Sequence, residues 1–130
     1  MKATELRIGN LVDLGNRIAK VIDIGHLSCT VVDLEETQDT LEDYERTQGI
    51  PLTEEWLDRF GFTKSNNVDI TIEYKLDEFF SIWKKYGYNV FYISQYNEND
   101  TQLINTTQIK EVHQLQNLYF ALTGEELKLK

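Results

Sequence analysis

Lys110, His113, Gln114 and Asn117 recur at spacings of three and four residues, which puts them on one side of a helix. Imidazole changes charge near neutral pH, so His113 could take a proton from a nucleophile brought to that face. Such catalysis also needs a nucleophile and an acid to orient the base, and the sequence identifies neither. Recognition through hydrogen bonds, or a plain solvated helix face, stands ahead of it. The sole thiol, Cys29, lies in an apolar run where cysteine behaves as a small buried hydrophobe with a raised pKa. A Cys–His dyad is therefore not expected.

A second constellation is aromatic: Phe79, Phe80, Trp83, Tyr86, Tyr88, Phe91 and Tyr92, with Lys84 and Lys85 among them. Its composition resembles a strand platform on which bases stack, but two lysines leave a thin footprint for phosphate. Strands alternate sides, so about half of these rings belong in a core and the rest are free to cover a protein partner. The candidate binding residues are thus His113, Gln114, Asn117, Lys110, Trp83 and Tyr92. No glycine-rich phosphate loop, His-Glu-x-x-His or Gly-x-Ser-x-Gly motif is present. One cysteine is too little for a structural zinc site, and neither cofactor nor metal is expected.

The formal net charge is −9, and residues 33–58 account for it, with ten acids against the single base Arg46. So acidic a chain repels the phosphate backbone at long range, which argues against nucleic acid and anionic membranes as partners. The stretch 35–49 reads as a solvated acidic loop or a frayed helical turn. It lacks the alternating carboxylates and glycine of a calcium loop. A second reading makes the acidic stretch 33–45 a phosphate mimic that occupies a basic site on another protein.

These side chains need elements to hold them. An opening strand before the turn at Asp13-Leu14-Gly15-Asn16, then runs at 18–24 and 27–34, suggest an antiparallel meander able to curl into an SH3-like half-barrel. Around 53–60 Thr53 is a natural N-cap, Glu54 and Glu55 suit the positive helix end, and Gly61 supplies a left-handed stop. From Val68 the chain alternates as a strand. The spacing of Phe79, Ile82, Trp83 and Tyr86 also fits a helix, with strand preferred over 78–86 because Tyr86-Gly87 resembles a hairpin turn. Asn97-Glu98-Asn99-Asp100 marks a loop. A longer helix at about 108–123, capped by Thr107 and Gly124, carries Val112, Leu115, Tyr119 and Leu122 as its apolar stripe. The expected fold is α+β: one domain over 1–130, about six short strands in an antiparallel sheet or half-barrel, and two helices. With no apolar run resembling a signal peptide or membrane span at the start, the cytoplasm is the expected location.

Three segments, Glu5-Leu6-Arg7-Ile8-Gly9-Asn10, the run from Ile50-Pro51-Leu52 through Phe60-Gly61-Phe62, and Val112-His113-Gln114-Leu115 through Gly124-Glu125-Glu126-Leu127, resemble a family of small uncharacterised proteins from gut bacterial genomes and their prophages or mobile elements. The resemblance implies genomic context and supplies no catalytic residue. A non-enzymatic protein-interaction module with an unidentified protein partner is the leading expectation. The alternatives are a nucleic-acid-associated SH3-like domain and a small hydrolase using His113.

Overall fold

A computed structural model describes residues 1–35, 37–65, 70–96, 102–103 and 108–130, with side chains of 94–96 and 102–103 excepted. Where one core around one sheet is expected, the chain divides into two compact units. One comprises residues 1–51 with 111–127, the other 52–110 with 128–130.

The first unit opens with a 3₁₀ turn, Ala3–Glu5, and four strands: β1 (Leu11–Asp13), β2 (Ile18–Ile24), β3 (Ser28–Asp33) and β4 (Asp39–Asp43). They pair antiparallel in sequence order. Val12, Ala19, Val21, Cys29 and Val31 project to one side and form a core cluster with Leu6. The opening strand is shorter than expected, because Arg7 N–H binds the Asn10 side chain and folds residues 7–10 into a turn. Within 35–49, expected as a solvated loop or a frayed helical turn, residues 39–43 instead form strand β4. Thr40 and Glu42 lie opposite Val31 and Cys29, so cross-strand pairing recruits a segment with almost no apolar content of its own. A second 3₁₀ turn, Tyr44–Arg46, follows. Gln48 then exchanges both backbone hydrogen bonds with Asp13 on the far side of β1. This single pair is the extent to which the described backbone takes the meander toward a half-barrel.

Helix α2 (Val112–Thr123) completes the first unit. It starts later than the expected 108, since Gln108–Ile109 form a strand and Glu111 is the N-cap, with its N–H held by the Gln114 side chain. Thr107 lies outside the described residues. Gly124 closes the helix at φ 74°, a left-handed geometry that suits glycine.

The second unit begins with α1 (Glu54–Arg59), which starts on a Thr53 hydroxyl that accepts from Trp56 N–H. Gly61 follows at φ 91° as expected. Strands β5 (Thr63–Ser65), β6 (Thr71–Lys75), β7 (Ser81–Lys85), β8 (Phe91–Tyr96), β9 (Gln102–Leu103) and β10 (Gln108–Ile109) follow. Their order is β10-β8-β7-β6-β5, with β9 also paired to β8. The ambiguous aromatic segment is therefore strand over 81–85. The register puts Tyr74, Ile82 and Ile93 in one row and Ile72, Lys84, Phe91 and Ile109 in the next. Most of these residues are buried. Val68 and the 97–100 loop lie outside the described residues.

The class is thus α+β, with ten strands among the described residues where about six are expected. Among the described residues no helix is long and apolar enough to cross a membrane. Ile82 is fully buried at the centre of its row, so Ile82→Ala should lower stability by about 2–5 kcal/mol in urea unfolding through the cavity it leaves.

Candidate functional site

The polar face of α2 turns out to be spoken for. Gln116 is 2% exposed and spans β1 and its approach: its Oε1 accepts from Leu11 N–H at 2.8 Å and its Nε2 donates to the Gly9 carbonyl at 3.1 Å. Asn117 accepts from Asn10 Nδ2 at 2.8 Å and donates to the Glu5 carbonyl at 3.1 Å. Arg7 pairs with Glu126 and lies 4.1 Å over the Phe120 ring. Two expected contact residues, Gln114 and Asn117, are therefore occupied in capping α2 and anchoring the N-terminal segment.

His113 departs furthest from expectation. It is 2% exposed, not presented to solvent, and its Nδ1 has no hydrogen-bond partner among the described residues. Loss of water around the ring depresses its pKa, against smaller opposing pulls from Glu111 and Glu5. A neutral, enclosed imidazole does not meet a substrate, which removes the geometric basis of a His113 hydrolase. Cys29 is also fully buried, and burial raises its pKa as expected.

The remaining candidates fall in the second unit. Lys110 is exposed. Trp83 and Tyr92 are directly opposite on β7 and β8, with rings stacked at 4.8 Å between centroids and 26° between planes. They belong to the face opposite Ile82, in a row running Ser65, Glu73, Trp83, Tyr92, Gln108. The strands of this row arise from β-branched and aromatic alternation. At one end of the sheet Tyr86 N–H bonds the Ile70 carbonyl and Tyr88 N–H bonds the Lys85 carbonyl. Here Ile70, Tyr86 and Tyr88 are 62%, 76% and 64% exposed.

One cleft of about 280 Å³ in this unit is lined by Glu54, Glu55, Asp58, Phe62, Lys64 and Tyr74. Tyr74 donates to Glu54 at 3.2 Å, and Lys64 reaches the same carboxylate at 3.2 Å. Burial, reinforced by Glu54, pushes the Tyr74 hydroxyl up to about 12, while the Lys64 hydrogen bond lowers Glu54. At neutral pH these groups are fixed as phenol and carboxylate, far from the balance a proton-transfer pair requires. Sequence reasoning missed this cleft because Lys64 and Tyr74 meet only through the β5–β6 register. Among the described residues no group of three His, Cys, Asp or Glu side chains is placed to hold a metal ion.

Compared with protein-family models, curated proteins and solved structures, the chain matches none. Its class rests on its own architecture: an α+β chain with two antiparallel sheets and two α-helices among the described residues.

Gln116→Leu should strip hydrogen-exchange protection from Leu11 and cost about 1–3 kcal/mol for each backbone group left unpaired. For His113 the folded pKa lies below the ordinary value of about 6.5 held in the unfolded chain, so the unfolded state binds more protons as acidity rises. Its stabilising contribution is full above about pH 6.5 and declines as pH falls from there toward the depressed folded value. Thermal unfolding of His113→Leu should lack this part of the pH slope.

Proposed function

We propose that the chain is a non-enzymatic protein-interaction module of mobile-element origin, acting in the cytoplasm on a protein partner. The observation that carries this reading is the exposed apolar end of the second sheet, where Ile70, Tyr86 and Tyr88 stand together. Exposed aromatic groups so grouped are typical of contact surfaces, since large rigid rings bury much area at small entropic cost. The half-buried Trp83–Tyr92 stack adds a second aromatic element in the same unit. The proposed surface therefore moves from the α2 polar face, whose side chains are used internally, to the aromatic residues of β7, β8 and their connection. The mobile-element origin is supported by the resemblance of the three segments named above.

A nucleic-acid-associated role draws support from the same stack, with Lys75 on β6 and Lys85 on β7 sharing its face of the sheet. The second unit holds eight basic and nine acidic residues, close to balance, whereas the first holds five and thirteen. This weakens electrostatic attraction to phosphate without abolishing stacking.

A photo-crosslinking residue in place of Tyr88 should capture a polypeptide in host cells, and Tyr86→Ser with Ile70→Ser should abolish the adduct while leaving circular dichroism unchanged. An adduct destroyed by nuclease, or capture indifferent to these substitutions, would reject the protein-interaction reading.

A further inference from the structure

Strand β4 ends the first sheet, and among the described residues nothing pairs with its outer edge. The direction of its backbone groups follows from the β2–β3 turn. The Ser28 carbonyl accepts from Gly25 N–H, so Ser28 directs its backbone polar groups toward β2. Ser28 faces Asp43, Thr30 faces Leu41 and Val32 faces Asp39. In an antiparallel ladder residues alternate in direction, so Asp39, Leu41 and Asp43 point their N–H and C=O groups away from β3. The Asp43 carbonyl is met by the Thr47 hydroxyl. The Asp39 and Leu41 pairs remain on the open edge.

The side chains of the same three residues share one face and are all exposed, Leu41 at 71%. On the other face Arg17 already binds Thr40 at 2.7 Å and lies 3.8 Å from Glu42. The open edge therefore offers two unmatched carboxylates on either side of an apolar side chain. A second copy is a poor occupant: antiparallel self-pairing centred on Leu41 sets Asp39 against Asp43 twice, and like charges directly opposite destabilise a sheet. The same charges deter indiscriminate strand addition by neutral or acidic chains.

We propose that this edge binds, by antiparallel strand addition, an extended segment of another polypeptide with Lys or Arg at positions i and i+4 and an apolar residue at i+2. The basic side chains meet Asp39 and Asp43, the apolar one covers Leu41, and main-chain hydrogen bonds join the Asp39 and Leu41 edge. The site uses no residue of the aromatic surface and stands independently of it.

The test titrates the ¹⁵N-labelled full chain with acetyl-Thr-Lys-Thr-Val-Thr-Lys-Thr-amide. Saturable shifts and slowed exchange at the Asp39 and Leu41 amides are expected, with affinity falling as salt is raised. Asp39→Asn with Asp43→Asn should weaken binding roughly tenfold. Leu41→Pro removes an outward N–H and should abolish it, because the edge tolerates proline where the β3 ladder does not use that group. A peptide with Glu for Lys should not bind, and Tyr86→Ser/Tyr88→Ser protein should bind as wild type does. Four outcomes would overturn the proposal: no saturable response at Asp39 and Leu41, equal binding of the Glu peptide, binding unchanged in the Asp39→Asn/Asp43→Asn protein, or self-association through this edge in place of peptide binding.

Discussion

The buried Gln116 amide bonds α2 to the entry of the first sheet through partners more than a hundred residues away in the chain. Its two hydrogen bonds satisfy Leu11 N–H and the Gly9 carbonyl, groups that would otherwise be costly to bury. Asn117 extends the same attachment to Glu5 and Asn10. An amide supplies a donor and an acceptor together, so one side chain fixes both the height and the rotation of the helix on this segment. The burial of His113, and with it the loss of an exposed catalytic base, goes with this anchoring of the first two turns of α2.

Charge is divided along structural lines. The first unit carries nearly all the imbalance, and its acidic segment is built into a sheet edge, where carboxylates limit promiscuous pairing. The second unit is near electrical balance and displays aromatic side chains instead. The two units thus display surfaces of different chemistry, one acidic and strand-like and one apolar. Glu54 and Lys64, both exposed, are mutually satisfied with the buried Tyr74 hydroxyl and link α1 to β5 and β6.

Local signals in the sequence were reliable where a few neighbouring residues decide the outcome. Thr53 caps α1, Gly61 and Gly124 take left-handed geometry, and the β-branched run at 18–24 is a strand with those bounds. The aromatic segment resolved as strand because β6 and β8 pair on either side of it. The candidate site was less legible. Trp83 and Tyr92 stand out in the sequence as aromatic, but their stacking depends on cross-strand register. Gln116 was hidden, because nothing in a helical wheel tells a solvated glutamine from one that bonds a distant strand.

Composition and short-range spacing by themselves determined an acidic α+β chain with two capped helices and an N-terminal meander, since caps, turns and alternation act over a few residues. Tertiary structure alone decided that 39–43 is strand, that there are two compact units, that Gln116 and His113 are buried, and which rings stay exposed. Those outcomes depend on partners far apart in the chain, where the free energy of pairing and burial overrides what each segment prefers in isolation.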